Sequence, residues 1–240
     1  MALVRLDKYI TDTGACSRSR ARDRVRTGAV CVDGSVVTDP ARKIDPETAL
    51  VTLDGVALGR EEHLYVMLHK PAGVLTASRD TRRPTVLDSM PEPWKRRGLF
   101  PVGRLDRDTT GLLLLTDDGA FAHRVISPRS GVSKLYFAEV DGVPTAADVQ
   151  AFAAGIELKD GTKCLPARLE ILGNGRVRVE ICEGKYHQIK RMLASRQLPV
   201  RTLHREKIGA LALDPELKPG EFRKLKQEEL ESIEPGILSK

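Results

Sequence analysis

Gly103-Arg104-Leu105-Asp106-Arg107-Asp108-Thr109-Thr110-Gly111 runs straight into Leu112-Leu113-Leu114-Leu115. The switch from a polar loop to an uninterrupted apolar run predicts a loop that enters a buried strand. It places Asp106 and Asp108 where a rigid scaffold positions chemistry. Two aspartates two residues apart beside arginines admit two readings. One is a turn with surface ion pairs; the other is a carboxylate kept ionised by a neighbouring cation and able to attack an anomeric carbon.

Around this segment, strands are predicted at residues 64–68, 134–140 and 176–181. Helices are predicted at 146–154 and at 187–196, where Ile189, Met192 and Leu193 form a buried stripe. The tail, residues 224–234, reads as a charged surface helix. Towards the amino terminus the pattern is that of a small module, with helices near 6–13 and 17–26, the second ended by Gly28. A strand at 29–32 turns at Asp33-Gly34 so that residues 35–37 pair back, and a further strand at 50–53 meets Asp54-Gly55. Residues 55–62, rich in glycine and charge, read as a linker. The expectation is an α+β protein with a small domain over residues 1–60 and a larger one, built on a mixed, mainly antiparallel sheet, over 61–240.

Composition narrows the partners. Hydrophobic residues make up 41% of the 240 and charged residues 30%, which excludes a chain disordered throughout. Thirty-nine Lys and Arg against 33 Asp and Glu leave a formal charge of +6, compatible with a polyanionic partner. No run approaches the roughly 18 apolar residues of a membrane-spanning helix, and the start lacks a secretory apolar run, so a cytoplasmic protein with no membrane partner is expected. Cys16, Cys31, Cys164 and Cys182 form no C-x-x-C pair, which points to small reduced core residues and no metal. Arg18, Arg20, Arg22, Arg24 and Arg26 form two stripes on the second helix, with Ala21 and Val25 between them, a layout that buries one side and offers guanidinium forks to phosphates.

The order and spacing of Arg5-Leu6-Asp7-Lys8-Tyr9, Cys16-Ser17-Arg18-Ser19-Arg20-Ala21 and Gly28-Ala29-Val30-Cys31-Val32-Asp33-Gly34 resemble the S4 RNA-binding domain over roughly residues 3–55. The resemblance implies docking on structured RNA by shape and phosphate contacts, through Arg5, Lys8, Ser17, Arg18, Arg20 and Arg22. The Gly103–Asp106 stretch, followed by Asp108-Thr109-Thr110-Gly111 and Thr116-Asp117-Asp118-Gly119, resembles the signature of the ribosomal-RNA pseudouridine synthases that carry an S4 domain. His69-Lys70-Pro71-Ala72-Gly73, Lys134-Leu135-Tyr136, the segment from Glu183 to Met192, Leu203-His204-Arg205 and Pro219-Gly220-Glu221-Phe222-Arg223 agree in order, so the likeness spans nearly the whole chain.

That family implies a cofactor-free isomerisation of uridine. Asp106 would engage a flipped-out nucleotide, by attack at C1′ or by assisting deprotonation at C2′, with Arg104 helping to position it. Tyr136 would stack on the base, Leu203 would pack against it, and Lys190 would partner the carboxylate, with Arg191 as the nearest rival. His187 and Arg191 are otherwise expected to contact RNA. The segments Tyr186-His187-Gln188-Ile189-Lys190-Arg191 and Leu203-His204-Arg205 resemble the small-subunit enzymes more than their large-subunit relatives. They favour 16S rRNA, free or in a pre-ribosomal particle, as the partner of a monomer. Arg107 and Ser133 depart from the family pattern at positions without a catalytic role. Three other readings stay open: a large-subunit (23S) rRNA pseudouridine synthase, an RNA-binding or ribosome-assembly protein without activity, and a glycosidase using Asp106 and Asp108 as its two carboxyl groups.

Overall fold

The computed structural model describes residues 3–46, 48–58 and 63–233. Contacts divide the chain into two units, Met1–His63 with Pro91–Gly98, and Leu64–Met90 with Leu99–Lys240.

The first unit contains β1 (Val4–Arg5), α1 (Leu6–Asp12), α2 (Arg18–Arg26), β2 (Val30–Val32), β3 (Ser35–Val36), β4 (Lys43–Ile44), β5 (Val51–Leu53), β6 (Val56–Leu58) and the short helix α3 (Glu92–Arg96). Ser17 caps α2, its side chain accepting from the Arg20 amide. Ala21 and Val25 turn their small apolar side chains into a core with Leu6, Tyr9 and Ile10 of α1, which leaves the arginines of α2 outside. Both Asp-Gly pairs turn with positive φ at each residue, 51° and 79° at Asp33-Gly34 and 53° and 79° at Asp54-Gly55. These are the dihedrals of two-residue hairpin turns, and they join the strands in the order β3-β2-β5-β6. The segment read as a linker therefore begins with a paired strand, β6; the rest of it, residues 59–62, lies outside the described residues.

The second unit is built on a nine-stranded sheet made of β7 (Tyr65–Lys70), β8 (Phe100–Pro101), β9 (Thr110–Thr116), β10 (Lys134–Val140), β11 (Arg168–Gly173), β12 (Arg176–Ile181), β13 (Val200–Ile208), β14 (Leu211–Ala212) and β15 (Phe222–Lys224). The order is β11-β12-β10-β13-β9-β7-β15, with β8 added to β9 and β14 to β13. β13 and β9 run parallel and the other pairs antiparallel, so the sheet is mixed and mainly antiparallel, as expected. Among the described residues, the α-helices α4 (Gly119–Ile126), α5 (Ala146–Ala154), α6 (Gln188–Ser195) and α7 (Gln227–Ile233) accompany it.

Leu112, Leu113, Leu114 and Leu115 of β9 are buried on both faces of the sheet. Phe121, Ala122 and Val125 of α4 pack with Leu112, Leu114 and Met67 on one side. α4 starts where it does because the Asp118 carboxylate accepts from the Ala120 and Phe121 amides at 2.9 and 3.0 Å. The tail departs from its reading: Lys224 belongs to β15, the helix starts at Gln227, and Leu230 and Ile233 are buried in the same core. A docked helix replaces the surface one because every third or fourth residue there is apolar.

The parallel join sets Arg205 opposite Gly111. A Cβ on Gly111, whose φ is 106°, would stand 2.3 Å from the Arg205 carbonyl oxygen and 2.6 Å from its nitrogen. No L side chain fits that approach at that dihedral. Gly111→Ala is expected to lower unfolding free energy by about 2–5 kcal/mol, adding backbone strain to overpacking. Urea denaturation checks this, and an unchanged midpoint would mean that the two strands do not meet this closely.

Candidate active site

In the first unit, β1 and α2 bring three arginines onto one carboxylate of α1. Asp7 is fully buried and accepts from Arg5 at 3.1 and 3.0 Å and from Arg22 at 2.9 Å, with Arg18 at 3.5 Å. The Arg5 hydrogen bond holds the Asp7 carboxyl well below the usual carboxylate range; burial opposes it, and Arg22 and Arg18 add to it. The three arginine side chains remain 44–49% exposed, so the cluster shows a net charge of +2 (three cations, one anion). Arg20 and Ser17 are exposed, Ser17 also capping α2, and Lys8 pairs with Asp12 at 2.5 Å. Asp7 as the organiser was not read from the sequence, although an acid two residues after Arg5 and beside an Arg18-x₃-Arg22 stripe is a visible signal.

The second unit carries an open cavity of about 1060 Å³ whose wall includes Asp106, Tyr136, Lys190, Leu203 and Arg205. The loop that presents Asp106 is held from behind. Lys70, fully buried at the end of β7, donates to the carbonyls of Pro71, Arg107 and Thr109 at 3.0, 3.2 and 2.9 Å. Burial pulls its ammonium down to about 8, against the charges of Asp108 and Asp106, which raise it. Thr76 exchanges two hydrogen bonds with the Leu105 backbone at 2.8 and 3.2 Å, and the Thr109 amide closes a turn onto the Asp106 carbonyl at 3.1 Å. On the reverse face of the sheet, the Thr110 hydroxyl meets the His204 ring at 2.8 Å. Burial, then the neighbouring His69, keeps His204 below its ordinary pKa.

Lys190, on the first turn of α6, places its ammonium 3.1 Å from one Asp106 oxygen and 2.5 Å from Asp108. Burial works against the Lys190 charge, but the hydrogen bonds it donates to Asp108 and Asp106 outweigh it and its pKa is raised. The same hydrogen bond from Lys190 lowers Asp108, with burial opposing. His187 does not continue the helix as expected: it sits just before α6 at a φ of 48° and directs Nε2 to within 3.5 Å of the other Asp106 oxygen. That left-handed conformation is uncommon for a residue other than glycine and worth noting beside a reactive group.

The pleat brings Lys134, Tyr136, Leu203 and Arg205 to one face, because Tyr136 pairs with Arg205 and Ala138 with Leu203 across β10 and β13. Tyr136 and Leu203 are buried but line the cavity. Arg205 is buried too; it donates to the Leu112 carbonyl at 2.7 Å and to the Tyr136 hydroxyl at 3.3 Å, fixing the ring. Two expected neighbours of Asp106 stand elsewhere. Arg104 lines the cavity but is exposed and donates no hydrogen bond to Asp106 among the described residues. Arg191 turns to Asp160 at 2.5 Å, because one step of about 100° around α6 from Lys190 faces away from the loop.

A carboxylate with a fixed ammonium, beside an aromatic ring and a buried leucine, suits attack or proton abstraction at a sugar whose planar base lies in the cavity. The glycosidase reading needs one carboxyl group that gives up a proton. Asp108 is lowered rather than raised and shares Lys190 with Asp106, so it does not fill that role.

The family profile described as RNA pseudouridylate synthase matches residues 64–195, and that of the S4 domain matches residues 4–50. A ribosomal small subunit pseudouridine synthase A from Escherichia coli (strain K12) is 44% identical over 237 residues, covering 96% of this chain and all of that protein. An uncharacterized RNA pseudouridine synthase from Bacillus subtilis (strain 168) is 40% identical over 231 residues, covering 95% and 97%. Among solved structures, a crystal structure of a pseudouridylate synthase superposes with a TM-score of 0.68 at 38% identity, over 96% of this chain and 99% of that one.

Two outcomes are expected from these contacts. The Asp7 carboxyl is depressed in the folded state, so its stabilisation is present above the unfolded pKa of about 3.9 and is lost as pH falls below it. Protection of the α1 and α2 amides, corrected for the intrinsic exchange rate at each pH, should fall from about pH 4 downwards, and Asp7→Asn should show that lower protection already at neutral pH. Lys70→Met leaves three carbonyls without their donor; melting temperature should fall, and amides of residues 106–110 should exchange about tenfold faster. Undiminished protection of that loop would show that Lys70 is not what holds it.

Proposed function

The chain belongs to the RNA pseudouridylate synthase family, and we propose that it converts one uridine of 16S ribosomal RNA to pseudouridine, with the S4 unit docking the RNA and the Asp106 cavity doing the chemistry. It isomerises uridine in RNA; the small-subunit target is supported by the names of relatives that share 44% of its residues across its length. The observation that carries the catalytic assignment is the Asp106–Lys190 contact of 3.1 Å at the mouth of a cavity lined by Tyr136 and Leu203.

Lys190 holds the Asp106 carboxylate aimed into the cavity, so Asp106 engages the ribose at C1′ or C2′ of a nucleotide extruded from its stack. Extrusion costs a few kcal/mol, and stacking on Tyr136 with Leu203 beneath the base offsets a comparable amount. The N1–C1′ bond breaks, the uracil turns, a C5–C1′ bond forms, and the proton leaving C5 is balanced by one gained at N1. No oxidant, reductant or group donor enters that balance. Arg5, Arg18, Arg20 and Arg22, with Lys8 and Ser17, face the RNA backbone in the first unit; His187 and Arg191 meet it near the cavity, and Arg104 helps seat the nucleotide. The enzyme works as a monomer in the cytoplasm, where free 16S rRNA or an assembling particle is available.

The test is a map of pseudouridine in 16S and 23S rRNA from cells with and without the gene, complemented by wild type or by Asp106→Asn. One small-subunit site should vanish and return with wild type alone, and purified Asp106→Asn should bind the RNA within about threefold of wild type. An unchanged map sinks the ribosomal substrate; restoration by Asp106→Asn sinks the role of Asp106.

A further inference from the structure

Among the large apolar side chains that the described residues leave exposed, one is aromatic: Tyr186, at 76%. It precedes His187 and stacks on it, ring centroids 3.9 Å apart and planes 18° apart. His187 in turn reaches the Asp106 carboxylate, and both rings belong to the wall of the cavity. A tyrosine left in water beside a reactive group has no packing role to explain it, since truncating it would remove little beyond its contact with His187.

The ledge is rigid. The buried Glu183 carboxylate accepts from the Leu165 amide and from the Gln188 side chain, each at 2.8 Å, and Gln188 accepts from the Lys185 amide at 2.9 Å. The Tyr186 carbonyl accepts from Arg191 at 3.4 Å, while Arg191 is tied to Asp160. These bonds brace the loop between β12 and α6 on both sides of the pair and hold His187 in its left-handed conformation, so the tyrosine face is presented before any ligand arrives.

We propose that Tyr186, seated on His187, is a stacking platform for the base adjacent to the target uridine. The inference rests on the RNA-substrate reading above and adds a second nucleotide subsite to it. Extruding a uridine strips its neighbour of a stacking partner, and a preformed aromatic face one residue from the histidine beside Asp106 replaces that partner. Every base has a π-face, so the platform fixes the distance between extruded and retained bases without reading their sequence.

The experiment uses the full-length enzyme and 16S fragments carrying 2-aminopurine at the nucleotide on either side of the mapped uridine. At one of the two positions, fluorescence should be quenched on binding wild type, Tyr186→Phe and Tyr186→Trp, and not on binding Tyr186→Ala. Tyr186→Ala should raise KM for unlabelled RNA by about 10- to 100-fold, the range one base stack supplies, with kcat within about twofold, and Tyr186→Phe should restore KM. Equal quenching by wild type and Tyr186→Ala at both positions, or a fall in kcat with KM unchanged, overturns the platform and makes the tyrosine a support for His187. If wild type neither modifies nor quenches these fragments, the substrate reading fails and this inference with it; full modification with an unchanged KM for Tyr186→Ala sinks the inference alone.

Discussion

A buried ammonium without a carboxylate at contact distance is an expensive thing to fold around, and the second unit is arranged to satisfy one. Lys70 lies at the end of β7 with all of its charge directed at three backbone carbonyls, two of them in the loop that carries Asp106. Those carbonyls take the conformation that gives the ammonium its hydrogen bonds, so the loop has little freedom of its own. Gly111 then lets β9 run against β13 without a side chain between them, which brings Arg205 under Tyr136 and Leu203 beside it. The reactive carboxylate is at the surface, yet its position is decided in the core.

Much of this was legible in the sequence where local pattern and burial agree. The strands at 134–140 and 176–181 and the helix at 146–154 were read to the residue, because alternation and helical spacing there coincide with a single buried face. β13 was not read. Val200, Arg201, Thr202, Leu203, His204, Arg205 and Glu206 look like a polar connection, yet they form a central strand with a cavity on one face and a charged cleft on the other. α4 escaped notice for a related reason: glycine and histidine dilute its apolar face, and what starts it is the cap at Asp118.

The site was legible as a set of residues more than as a geometry. Asp106, Lys190, Tyr136 and Leu203 meet in one cavity, whereas Arg191 and Arg104 do not meet Asp106, and only the angular position around α6 and the exposure of the loop separate these cases. The work of Lys70 is invisible in one dimension, since its partners are carbonyls 37 and 39 residues away, which every residue possesses. Asp7 is similar: a carboxylate in a basic segment looks like dilution of charge until three arginines are seen to converge on it.

The join between β9 and β13 also orders events in time. Thr110 and His204, which meet across it, are 94 residues apart in the chain. A polypeptide emerging from the ribosome therefore exposes the Asp106 loop long before the strand that backs it has been made. Until about residue 208 is available, β9 lacks its parallel neighbour, Tyr136 lacks Arg205, and the cavity has no floor. The nascent chain thus passes through a long interval in which the Asp106 loop is complete in sequence but lacks the strands that form its cavity.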